Sequence, residues 1–359
     1  MTALTLPSRR EEAWRWSNLD ALRALADDPH GPAPISDAHF IGLSGPRLVF
    51  VDGVFDETRS ALGRVSIEPP NLATDHPLGR QATGPGWSLT LDAGQASDPI
   101  EIVHVATGGA NHLPARITLS ADTTASIVET YIGDGWSNRL TQITLARSAR
   151  LMRSVRLLQA SGFVSLRDEA EVGEGASLVS IVLGAGGMDC RVDAAIACTG
   201  AAAYAEMGGA LLTQGEQNQE AAISLRHDAL DGQSRQVWRA VAKDRSTASL
   251  AARVEVARGA QKTDGEQSLR GLLLDRTATV NLKPELEIFA DDVKCAHGAT
   301  VGELDRTALF YLASRGIAPA RARALLTRAF VADALDRIGD ETVRDAFTAD
   351  ADRWLEGAL

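Results

Sequence analysis

The stretch GASLVSIVLGAG, residues 175–186, opens on a phrase of small residues and runs directly into a short strand pattern of alternating apolar and polar positions. The phrase (small, Ala, polar or small, apolar) recurs as TASI at Thr124, SARL at Ser148, GAAA at Gly200, TASL at Thr247, TATV at Thr277 and GATV at Gly298. Successive offsets are 24, 27, 25, 47, 30 and 21 residues, and 47 is close to two periods. Self-similarity at such a period marks a solenoid, here of about eight units. The units hold almost no helix-period segments, so each reads as one coil of a β-helix, with the small residue at a tight corner and the following Leu, Ile or Val pointing inward. GATV then reads as the last corner. A β-sandwich with Ala-rich turns is the competing architecture.

Outward from that stretch, PIEIVHVA, ARITLSA, ASIVETYI, RLTQITLA, ARLMRSVRLL and FVSLRDEAEV read as further strands. The β-helix is therefore expected over residues 86–302. Before it, residues 1–85 read as a helical and irregular domain. Ser8 with Glu11 and Ser17 with Asp20 suggest helix starts, and RLVFVDGVF suggests a strand. After Val301 the chain turns helical through residue 359. Gly316 and Gly339 stand where C-cap glycines are expected, and Pro319 fits a first helical turn. Leu304, Ala308 and Tyr311 mark one apolar stripe of this helical module, and Leu326, Phe330, Ala334 and Ile338 another. A solenoid needs such a module, because a terminal coil exposes unpaired strand edges.

Composition excludes several function classes. The 359 residues, 45% hydrophobic and 23% charged, can bury a sizeable core, and no apolar run approaches membrane-span length. MTALTLPSRREEAW lacks the apolar core of a secretory signal, which places the chain in the cytoplasm. A net charge of -11 argues against nucleic acid as a partner. None of the four lysines, Lys243, Lys262, Lys283 and Lys294, lies in a phosphate-cradling P-loop, so no nucleotide is expected on this chain. Three scattered cysteines, Cys190, Cys198 and Cys295, make neither a disulfide framework nor a four-thiolate metal site.

The chemistry concentrates in DDVKCAHGATVGELD, residues 291–305. On a strand, Cys295 and His297 project from one face, a half-site suited to Fe or Zn. On spacing alone the stronger reading is a small buried thiol beside a hydrogen-bonded histidine. Two ligands cannot complete a tetrahedral site, so function here requires a second subunit or a substrate. Glu285 and Glu287 share a face and are secondary candidates for acid–base work or iron, although such pairs more often form solvated charge. Cys190 and Cys198 read as buried thiols, and His104, His112, Trp136 and Trp238 as packing or surface residues. His227 marks an exposed coil edge with no nucleophile beside it.

Taken together, GAQKTDGEQSLRGLLL (259–274), KPELEIFADDVKCAHGATVGELD (283–305) and ALFYLASRGI (308–317) resemble the core of the SufB/SufD family, the scaffold subunits of the SUF iron–sulfur cluster assembly machine. LPSRREEAWRWSNL (6–19) is similar to the N-terminus of the SufD branch. STASLAARVEVARGAQKTD departs from the family, which tends to carry an aromatic residue and a glycine ahead of this region. The resemblance implies a right-handed parallel β-helix flanked by helical domains, acting as a scaffold and not as an enzyme. It implies pairing with a SufB-type subunit through the end of the β-helix and docking of a SufC-type ABC ATPase on the C-terminal helices. We expect Leu304, Leu309, Phe310, Tyr311, Leu326 and Phe330 to form that docking surface. It further implies that His297, with Cys295 in the accompanying position, shares a transient cluster or iron with the SufB-type partner. The isolated chain could pair with itself through the same strand edges. Two alternatives remain open at this point: a metal-free structural adaptor, and a polysaccharide-acting β-helix enzyme.

Overall fold

The computed structural model describes residues 6–33 and 35–358. The start of the apolar-leader reading falls on residues 1–5 and lies outside them. Four short strands come first, β1 (Arg47–Val51), β2 (Val54–Phe55), β3 (Val65–Ser66) and β4 (Trp87–Leu91). Two long strands follow, β5 (Ile100–Leu119) and β6 (Thr124–Leu145). Then come β7 (Arg150–Leu157), β8 (Phe163–Val172), β9 (Ser177–Gly184), β10 (Asp189–Cys198), β11 (Tyr204–Thr213) and β12 (Asn218–His227). The series ends with β13 (Gln233–Ala242), β14 (Thr247–Val256), β15 (Asp264–Leu273), β16 (Thr279–Ile288) and β17 (Lys294–Glu303).

From β6 onward each strand pairs in parallel with the next but one, as one coil stacks on another. One face runs β7, β9, β11, β13, β15, β17, and the other β8, β10, β12, β14, β16. β5 and β6 are long because each bends through both faces; Gly133, at φ +91, sits at the bend of β6. A Cβ there would lie 1.9 Å from the Ala106 carbonyl oxygen. The fold is mainly β, a parallel solenoid, as expected.

The corners carry a backbone device. Asp122, Ser148, Gly175, Ala202, Asp231 and Lys262 all have φ between 54° and 60°. The N–H of each donates to the carbonyl just before the next corner: Ser148 to Glu174 at 2.8 Å, Gly175 to Ala201 at 2.8 Å, Ala202 to Leu230 at 2.9 Å. These left-handed positions favour small or Asp-type residues. Ile127, Leu151, Leu178 and Leu250, the apolar members of the repeated phrase, point into the core as expected. GATV is the exception. Gly298 pairs with Ser268 and Val301 with Gly271 in mid-strand, so the phrase is part of β17 and not a corner. A small-residue phrase describes an edge strand as well as a turn, and only the pairing separates them.

The N-terminal segment is less helical than its cap signals suggest. Its described helical pieces before β1 are a 3-10 turn, Glu12–Trp14, the helix α1 (Leu22–Asp27), and a 3-10 turn, Asp37–His39. Ser17, expected to cap a helix, is buried and donates to Glu220 Oε2 at 2.6 Å, while the Arg191 guanidinium lies 3.8 Å from the Trp14 ring centroid. The Ser17 hydroxyl that would start a helix is spent on the outer face of β10 and β12, whereas the Ser8 N–H does donate to Glu11 Oε1 at 2.9 Å, ahead of the first 3-10 turn.

Three helices close the chain: α2 (Arg306–Ser314), α3 (Pro319–Leu335) and α4 (Glu341–Ala358). Asp305 accepts from the Thr307 and Ala308 N–H groups, Gly316 has φ +81, and Pro319 opens α3. Gly339 lies beyond α3 without a positive φ. Val331, Leu335, Ile338, Phe347, Trp354 and Leu355 pack on Ile181, Leu183, Ala210, Leu212 and Val241, the outer face of β9, β11 and β13. Among the described residues no helix is long and apolar enough to cross a membrane.

Candidate functional site at the open end of the solenoid

The first coils are covered by β1 and β4, but the last are not. β17 pairs only with β15, and β16 only with β14, among the described residues. Two ten-residue strands therefore present free N–H and C=O groups, a template for another chain. Val280, Leu282, Ala299 and Val301, beside Trp16, line the mouth between them.

Cys295 stands opposite Gly265 and His297 opposite Gln267. Because Gly265 and Gln267 face inward, so do Cys295 and His297. The sequence expectation that the pair shares a face holds. Cys295 is half-buried and packs against the core edge; a Cβ on Gly265 would sit 3.4 Å from its Sγ, so the glycine leaves room for the thiol. Burial pushes the Cys295 thiol up, against a backbone N–H of Gly265 that favours the thiolate, and the Asp264 carboxylate pushes it further up. At neutral pH the free chain thus carries a thiol, which a bound cation would have to deprotonate. His297 is exposed.

The secondary candidates lie elsewhere. Glu285 and Glu287 project from the outer face of β16, where Lys283 lies 3.2 Å from Glu285 and Arg253 2.6 Å from Glu287. Lys283 also holds Glu12 at 2.6 Å, tying the N-terminal segment to the last coil. Cys190 and Cys198 are buried, and burial raises both thiols. His227, expected at an exposed edge, is instead buried with Nε2 2.9 Å from Ser234 Oγ. His104, Trp136 and Trp238 are buried packing residues. The sequence reading missed Gln236 and Gln267, two buried amides on the inner face leading to His297. The inward register of GEQSLRG was the signal available for the second.

Among the described residues no three His, Cys, Asp or Glu side chains cluster so as to hold a metal ion. A soft thiol and an imidazole fit iron by donor chemistry, and further ligands for such an ion would come from outside the chain. Of the expected docking residues, Phe310 and Tyr311 are 75% and 56% exposed, while Leu309 and Leu326 are half-buried. Leu304 and Phe330 pack partly on the core beneath α3 and α4.

Among the described residues the chain is a β-solenoid covered at one end and uncovered at the other, with a thiol and an imidazole on its last strand. The family model described as SUF system FeS cluster assembly, SufBD core domain, matches residues 104–330, and the chain belongs to that family. It is 26% identical over 384 residues to the iron-sulfur cluster assembly protein SufD of Escherichia coli, covering 98% of this chain and 90% of the relative. An iron-sulfur cluster assembly SufBD family protein of Mycobacterium tuberculosis is 27% identical over 379 residues, 99% and 90% of the two chains. A chloroplastic protein of Arabidopsis thaliana, ABCI7, is 31% identical over 232 residues, 61% of this chain and 48% of the relative. The chain is thus a SufD-like protein of SUF iron–sulfur cluster assembly.

Proposed function

We propose that this chain is a non-enzymatic scaffold subunit that pairs with a SufB-type subunit through the edges of β16 and β17. Iron or a nascent cluster is its cargo, held transiently between His297, with Cys295 beside it, and ligands of the partner. The observation that carries this reading is the position of both side chains on the inner face of a terminal strand whose other edge has no partner among the described residues. A free edge supplies the pairing and the half-site supplies the reason for it.

In this reading residues 1–85 are the helical and irregular N-terminal domain, 86–302 form the solenoid, and 303–359 dock a SufC-type ATPase. Hydrolysis belongs to that partner, since no P-loop occurs in this sequence. The exposed aromatic pair Phe310 and Tyr311 supports the docking role, as unspent aromatics are favoured anchors. The compartment proposed is the cytoplasm. Expression with SufB-type and SufC-type partners, gentle purification and iron analysis test the whole reading. A three-component complex that loses bound iron in His297→Ala, without losing a subunit, is expected. A chain that purifies alone, or iron retained by the variant, would overturn it.

A further inference from the structure

We infer that Gln267 positions His297: its side-chain oxygen, buried and without a donor as the side chains stand, is the acceptor open to the imidazole N–H, which would leave the other ring nitrogen with its lone pair for iron or a cluster. The inference rests on the role proposed above for His297.

Three strands carry Gln236, Gln267 and His297 in register on the inner face of the solenoid. The two amides are 0% and 1% exposed. Gln236 Nε2 donates to the Arg253 carbonyl at 3.3 Å. A carbonyl only accepts, so this bond fixes which way the Gln236 amide faces and turns its oxygen toward Gln267. Gln267 Nε2 donates to that oxygen at 3.3 Å. Gln267 Oε1 is then left buried with no donor.

A buried acceptor without a donor is unfavourable, and the next position of the ladder toward the open end is His297. A neutral imidazole offers one N–H and one lone pair. When the N–H is held by an amide oxygen, the tautomer is set and the lone pair faces away, the arrangement that histidine ligands of metals ordinarily need. Packing does not explain the amides, because the inward neighbours in the same strands, Trp238 and Leu269, are apolar. The direction of the chain of amides, from a backbone carbonyl to a free oxygen on the residue in register with His297, is what the inference adds.

The test uses the full chain. Long-range proton–nitrogen NMR of the labelled protein reads the His297 tautomer, with the signal assigned by its absence in His297→Ala. Gln267→Met, which keeps volume but loses the acceptor, is expected to shift the tautomer ratio roughly fivefold, the factor one net hydrogen bond supplies. Gln267→Glu, which keeps an acceptor oxygen, is expected to preserve the wild-type bias. In the complex with its SufB-type and SufC-type partners, iron retention should fall about tenfold or more in Gln267→Met and hold in Gln267→Glu. Should Gln267→Met fail to fold, Gln236→Leu, which frees the Gln267 amide to turn over, is expected to weaken the same bias. An unchanged tautomer ratio in a folded Gln267→Met or Gln236→Leu chain would mean that water satisfies the oxygen, and would end the inference. Iron lost in His297→Ala but kept in Gln267→Met sinks the Gln267 role alone, whereas iron kept in His297→Ala sinks the reading beneath it.

Discussion

Arg156 on β7 and Asp350 on α4, 194 residues apart, form a two-pronged buried ion pair, with Nε to Oδ2 at 2.6 Å and Nη2 to Oδ1 at 3.1 Å. Arg156 Nη1 also donates to Thr130 Oγ1 at 3.1 Å, so the guanidinium joins two coils to the C-terminal helix. Replacing Asp350 with Ala leaves that charge buried without its partner, at a cost of about 3–5 kcal/mol. Urea unfolding should show the loss, and hydrogen exchange should show α4 opening before the solenoid. An unchanged midpoint would mean that the apolar face alone seats α4.

Val301 faces inward at the open mouth and is 45% exposed. Val301→Asp is expected to change the stability of the chain by less than about 1 kcal/mol, because no coil covers it. In an interface with a SufB-type subunit the same carboxylate would be buried unpaired, and assembly measured by light scattering should fall at least tenfold. Assembly at wild-type strength would place the partner elsewhere.

No residue of α2 is buried. The triple change Phe310→Ser, Tyr311→Ser, Leu325→Ser, the last at an exposed position of α3, should therefore leave thermal unfolding nearly unmoved, within roughly 0.5 kcal/mol per site. Binding of a SufC-type ATPase, measured by calorimetry, should weaken by about 2 kcal/mol or more if these side chains are its anchors. Unweakened binding would remove this face from the docking surface.

Acid should destabilise the fold before its carboxylates titrate. Burial, helped for His104 and His112 by the Arg139 guanidinium, holds His104, His112 and His227 down to about 4. All three are neutral in the native state, so below pH about 6.5 the unfolded chain binds protons that the native chain refuses. Stability is complete above that pH and declines as pH falls toward about 4. For His104 the loss between pH 7 and pH 5 is roughly 2 kcal/mol. Glu129 is buried, which would raise its carboxyl, but the Arg153 guanidinium at 2.7 Å overrides this and holds it well below the usual range. Its contribution is lost in the same direction, but only below about pH 4.5. Denaturation midpoints at pH 7 and pH 5 should differ less in His104→Gln than in the wild type. Equal differences would show that His104 is not the titrating group.

Strand content, coil length and the inward direction of Ile127, Leu151, Leu178 and Leu250 were legible in the sequence, because each is set by local alternation and by repetition. The shared face of Cys295 and His297 was legible for the same reason. Ser17 and GATV were misread for a common cause: a hydroxyl that could cap a helix and a small residue that could turn a corner have their roles assigned by whatever packs beside them. His227 likewise looked like an edge residue, until the turn into β13 placed Ser234 against its ring.

The sequence by itself determined that the chain forms a repeating β-structure with a helical close, and that its metal-capable side chains come as an incomplete pair. Tertiary structure alone decided that the terminal coil carrying this pair has no covering strand among the described residues, that Glu285 and Glu287 face away from it, and that a buried amide acceptor stands in register with His297. Alternation is written within a few residues of chain. Register between coils is a matter of some 30 residues of separation, and it is settled only when the strands stack.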